Sequence, residues 1–240
     1  MPEPQYSFQT THWSVVRHAV RPDDAAAQQA LSSLCEAYWY PLYAYFRRCG
    51  RNTQDAEDLT QGFFARLLAN ETLASADPEK GKLRTFLLAC ARNFLADEHD
   101  RATAQKRGES LLVSFDTLRA EELYSGEAQD LLTPDRLFQR RWALAVLEQS
   151  LASLGEEFER RGQSAIFRAL RPFLGFGTEP EYGYDEVSAR LGVPIGTLKN
   201  QVFRLRGRWR QLLFEQVGRT LENPTPEEIK AELSELLGCV

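Results

Sequence analysis

The sequence predicts an all-α protein of two helical domains joined by an acidic linker. Apolar residues recur at 3.6-residue spacing along most of the chain, and runs of alternating β-branched residues are absent. Charge is also segregated, with two basic islands on either side of an acidic stretch. The 240 residues, 43% hydrophobic and 26% charged, exclude collagen-like, low-complexity and wholly disordered classes and suffice for one large core or two small ones.

A leader over 1–24 precedes a first helix that opens behind Asp23 or Asp24 and runs towards Arg48. Pro41 is expected to bend or break it, and Gly50 to end it. A second helix begins after Thr53 and reaches about Leu68. The segment DPEKGK (77–82) reads as a loop, and a third helix covers Leu83 to about Arg107, closing a first domain over 25–107. The stretch 108–132 has no sustained period and reads as a linker. Thr133 and Pro134 then form a cap and first-turn signature that opens a second domain over 133–217. Helices are expected at about 134–161 and 164–173, followed by the loop 175–183. The tail, 218–240, carries a capping box from Thr225 to Glu228, with Ile229, Leu233, Leu236 and Leu237 on one face. It reads as a short amphipathic helix that docks on the protein itself or on a regulator, self-docking being the plainer reading.

Net charge is −5, but its distribution matters more than its sum. Lys82 to Arg107 holds six cations against Asp97, Glu98 and Asp100, and Gly196 to Leu213 holds five cations and no acid. Between them, Glu109 to Asp135 has seven acids and only Arg119, and from Glu222 onward there are five acids and only Lys230. Such segregation suits two surfaces that meet an anionic polymer.

The second island is built as a helix-turn-helix. Tyr184, Val187 and Leu191 mark one face of a short helix, which Gly192-Val193-Pro194 breaks. Leu198, Val202, Leu205, Trp209 and Leu212 then form a narrow apolar stripe on the next helix. The opposite side presents Lys199, Asn200, Phe203, Arg204 and Gly207. Lys and Arg bond phosphates or guanine edges, Asn pairs with adenine, and Phe touches a thymine methyl. A solvated or partner-binding basic helix is the competing account. The missing acids weigh against it, because solvated helices usually interleave both signs.

The first half is more ambiguous. Asp55, Glu57, Asp58 and Gln61 lie at a helix start, where acids favour the macrodipole, yet Asp58 and Gln61 share a face that can dock a basic partner. Asn93, Asp97 and Arg101 form an i, i+4, i+8 row that reads equally as a solvated face with an Asp97–Arg101 pair. His12, His18 and His99 stand in no metal-binding motif, and no phosphate-cradling glycine loop occurs. Consecutive Asp97, Glu98, His99 and Asp100 point apart on a helix and cannot gather one ion. No metal, cofactor or enzyme activity is therefore expected. Four scattered cysteines suggest free thiols, and the lack of a long apolar run, with no basic, apolar, small-residue signal pattern at the start, suggests a cytoplasmic protein without a membrane partner.

Three segments in order, DAEDLTQGFFARLL (55–68), LRTFLLACARNFLADEHDRATAQKR (83–107) and YDEVSARLGVPIGTLKNQVFRLRGRW (184–209), resemble an alternative sigma factor of the extracytoplasmic-function group of the sigma-70 family. The resemblance covers roughly 25–107 and 134–215. It implies regions 2 and 4, with core RNA polymerase (β′ clamp helices and β flap) and promoter DNA as partners and an anti-sigma factor as a further one the family allows. Asp58 and Gln61 would meet the clamp helices. Asn93 would capture an unstacked −10 base, with Arg84, Arg92, Arg101, Lys106 and Arg107 on the strand backbone, and Phe86 in the core. Thr197, Lys199, Asn200, Phe203 and Arg204 would read the −35 element. The linker would thread towards the RNA exit channel. The leader, the tail and the loop 174–183 exceed the minimal family pattern, and the acidic tail suggests a mask over the recognition helix. A stand-alone helix-turn-helix regulator is the competing class, although no heptad or ligand-pocket signature supports it.

Overall fold

The structure, a computed structural model, describes residues 25–69, 82–102, 117–127, 132–176, 180–221 and 224–239. Among these residues helix is the only regular secondary structure. The α-helices are α1 (Ala25–Arg48), α2 (Thr53–Ala69), α3 (Leu83–Ala102), α4 (Thr117–Glu127), α5 (Pro134–Arg160), α6 (Ser164–Leu170), α7 (Tyr184–Leu191), α8 (Ile195–Arg219) and α9 (Pro226–Leu237), with a 3-10 turn over Arg171–Leu174. The chain forms two compact units. The first takes residues 1–146 and 217–240, the second 147–216.

The division differs from the one drawn on the sequence, because α5 contributes to both cores. Leu137, Phe138, Trp142 and Ala143 are buried in the first unit, Leu147, Leu151 and Leu154 in the second. The first core is aromatic. Trp39 stacks on Tyr43 at 5.1 Å between centroids, Phe94 of α3 meets Phe63 of α2 edge-on at 5.8 Å, and Tyr38 stacks on Phe138 at 6.4 Å. Burial of the run from Ala37 to Phe46 explains why α1 continues through Pro41 instead of stopping there. A proline inside a helix costs about 3 kcal/mol, and several fully buried side chains at about 1.5–3 kcal/mol each outweigh it.

The linker is not uniformly irregular. α4 docks within the first unit by burying Ala120 and Tyr124. Arg47 of α1 donates to both carboxylate oxygens of Glu121, at 3.0 and 2.6 Å, and lies over the Tyr124 ring. The Tyr43 hydroxyl donates to the same carboxylate at 2.5 Å. These donors hold the Glu121 carboxyl below its ordinary range, Arg47 contributing most. Local sequence could not reveal α4, since its partners lie more than seventy residues away.

Both capping signatures are present. The Arg136 amide donates to Thr133 Oγ1 at the start of α5, and Thr225 and Glu228 exchange both bonds of a capping box at the start of α9.

Candidate functional site

The second unit carries the helix-turn-helix. α7 ends at Gly192, whose φ of 65° lies in the left-handed region open to glycine. The Val193 amide then returns to the Ser188 carbonyl, while Ser188 Oγ donates to the Val193 carbonyl at 2.7 Å. α8 begins two residues later. Leu198, Val202, Leu205, Trp209 and Leu212 are all buried, as the stripe predicts. Trp209 Nε1 donates to Ser150 Oγ of α5 at 2.8 Å, and Ser150 Oγ donates to the Leu147 carbonyl.

That anchoring leaves Thr197, Lys199, Asn200, Phe203 and Arg204 together on the exposed side, with Phe203 at 73% of full exposure. Burial would be the ordinary fate of such a ring. Lys199 Nζ sits 5.7 Å from the Tyr184 ring centre. Two other cations of the island serve the fold instead. Arg206 donates to the Phe173 carbonyl at 2.6 Å, and Arg208 grips Glu157 through Nε and Nη2. These bonds, with Arg208 foremost, depress the Glu157 carboxyl. Lys199 and Arg204, the cations that the sequence assigns to bases, face solvent, as does Arg210.

In the first unit, Asp58 is exposed and Gln61 half-buried on α2, where Gln61 Nε2 lies 3.4 Å from Glu57 Oε1. Asn93 is exposed on α3. Arg92 is exposed too, but forms a two-point ion pair with Asp135 at the start of α5. Asp97 pairs with Arg66 of α2 at 2.5 Å, a cross-helix partner, while the expected pair with Arg101 involves a side chain outside the described residues. Phe86 is half-buried and stands short of the core expected for it. Arg101 lies in α3, but its side chain, and all of Lys106 and Arg107, fall outside the described residues.

Arg84 departs most from expectation. It is only 4% exposed, enclosed by α5 and α9. Its plane covers Trp142 at 4.5 Å, and Nε donates to Gln139 at 2.8 Å. Nη1 pairs with Glu232 and Nη2 with Glu235, the latter at 2.9 Å. Lys82 pairs with the same two carboxylates. Glu232 and Glu235 of α9 thus meet cations at the head of α3. Lys82, Glu232 and Glu235 were missed as a cluster. The available signal was a carboxylate set inside the apolar stripe of α9, between Ile229 and Leu236.

Among the described residues no three His, Cys, Asp or Glu side chains converge as a metal would require, and no helix is long and apolar enough to cross a membrane.

The first unit thus holds an aromatic three-helix core with an exposed Asn on its third helix, and the second a helix-turn-helix whose exposed face carries no acid from Gly196 to Leu213. The sigma-70 region 2 family model matches residues 34–105. The chain is 25% identical over 200 residues to the ECF RNA polymerase sigma factor SigE of Mycolicibacterium smegmatis, which covers 83% of this chain and 68% of the relative. No solved structure matches it significantly. Residues 34–105 are thus similar to sigma-70 region 2, and the two likenesses together support a sigma factor that directs promoter-specific transcription initiation.

Proposed function

We propose that the first unit binds core RNA polymerase through α2, with Asp58 and Gln61 meeting the β′ clamp helices, and reads the −10 element with α3. Asn93 takes the unstacked non-template base, its amide offering both donors and an acceptor to a base edge. Arg92, Arg101, Lys106 and Arg107 follow the strand backbone. The Arg92–Asp135 pair does not obstruct this. Its partners are 53% and 43% exposed, and such pairs are worth about 0–1 kcal/mol, so a phosphate displaces the carboxylate readily. The helix-turn-helix reads the −35 element with Thr197, Lys199, Asn200, Phe203 and Arg204, and the second unit docks the β flap. An anti-sigma factor would act by covering either surface. The chemistry belongs to the polymerase, and the protein works beside it in the cytoplasm.

The observation that carries this reading is the exposed face of α8, which sets cations, an amide and an outward phenyl ring on a helix anchored by its opposite stripe. Gel-filtration co-elution with bacterial core polymerase tests it, wild type beside Asp58→Arg. Stoichiometric co-elution by the wild type, lost in the variant, is the expected result. Failure of the wild type to co-elute would remove the polymerase role.

A further inference from the structure

We infer that the Lys82–Arg84 pair at the head of α3 is a phosphate-binding site that the chain fills with its own Glu232 and Glu235, so that α9 and the promoter strand compete for the same cations. The inference rests on the reading of α3 as the helix that meets the −10 element.

The geometry of Arg84 argues for it. Stacking on Trp142 and the Nε bond to Gln139 fix the guanidinium from one side without using its Nη edge. That edge is directed at two separate carboxylates, Nη1 at Glu232 and Nη2 at Glu235. Lys82 adds a third point of contact to the same acids. A planar fork held in place with its two outer nitrogens on anionic oxygens is the arrangement that suits a phosphate. Removing α9 would leave the fork oriented and unfilled.

The acids, by contrast, sit on an element held by few apolar contacts. α9 buries Ile229 and Leu236, and Ile229 Cδ1 rests against α8 at Gly218, where an added Cβ would approach it to 3.0 Å. Glu232 is almost fully buried, while Glu235 stands 56% exposed. A burial-dominated staple has no need of two acids converging on two cations. Replacing those carboxylates by phosphates, however, conserves every charge-assisted bond of the cluster.

The test uses the full-length chain with a fluorescein-labelled, mixed-sequence single-stranded oligonucleotide, read by anisotropy across a salt series. Glu232→Gln/Glu235→Gln should bind severalfold more tightly than wild type. Its log–log salt slope should steepen by about 1.4, at about 0.7 per phosphate neutralised on a single strand. Adding Lys82→Ala and Arg84→Ala should abolish the gain. Glu122→Gln/Glu227→Gln removes as much negative charge from exposed acids outside the cluster and should leave the slope at the wild-type value. An unchanged slope in Glu232→Gln/Glu235→Gln, an equal gain in Glu122→Gln/Glu227→Gln, or a gain that survives loss of both cations would overturn the inference. Should Glu232→Gln/Glu235→Gln lose its helical circular dichroism, Gly218→Leu carries the same test, since it levers Ile229 away with all four charges intact. Polymerase co-elution run alongside separates the two readings. A chain that gains strand affinity without binding polymerase would retain the competition and lose the sigma role.

Discussion

Replacing Ser150 by alanine should destabilise the second unit out of proportion to the one oxygen removed. Ser150 is wholly buried and Trp209 nearly so, and the indole Nε1 donates to Ser150 Oγ at 2.8 Å. Alanine leaves that N–H in the core with no acceptor, which costs about 1–3 kcal/mol. With a urea dependence of about 2 kcal/mol per molar, the unfolding midpoint of the second unit falls by roughly 0.5–1.5 M. Trp209→Phe removes the donor as well as ring volume. The double variant Ser150→Ala/Trp209→Phe should therefore cost less than the sum of the singles by about 1 kcal/mol, since the orphaned group is then gone. Urea unfolding followed by far-ultraviolet circular dichroism measures all four members of the cycle. A Ser150→Ala midpoint shifted by less than the equivalent of about 0.5 kcal/mol, or strict additivity, would refute the claim that this bond ties α8 to α5.

Neighbouring positions on α8 should respond in opposite ways. Leu205→Ala, at a buried site, should cost about 2–5 kcal/mol of stability by calorimetry. Phe203→Ala should stay within about 0.5 kcal/mol while weakening −35 duplex binding. Docking of α4 should depend on acid pH. The Glu121 carboxyl is held below its ordinary range by Arg47, so its contribution is complete above the unfolded value and fades as pH falls through the lower folded one. Amide exchange of residues 117–127 should rise in that acid window in the wild type, and be already fast at neutral pH in Glu121→Ala. Asn93→Ala should retain wild-type stability, its side chain being exposed, yet fail to open −10 DNA on the polymerase, read by permanganate footprinting.

Much of the molecule was legible without coordinates because its signals are local. The cap at Thr133, the capping box at Thr225, the breaking turn at Gly192 and the stripe from Leu198 to Leu212 each lie within one or two helical turns. They depend on backbone geometry and on which side chains can leave water. Which face of α8 stays exposed followed from that stripe by elimination. So did the separation of the two basic islands, since charge along a chain is a property of sequence alone.

What tertiary structure decided was the fate of individual charges. Arg84, Arg92, Arg206 and Arg208 are equivalent cations in the sequence. In the folded chain Arg84 is buried against Glu232, Arg92 pairs with Asp135, Arg206 caps a carbonyl and Arg208 holds Glu157. The same holds for α4 and for α9, whose docking partners lie far away along the chain. A long flexible side chain reaches any partner the fold brings near, and which carboxylate arrives is fixed by packing, not by spacing along one helix.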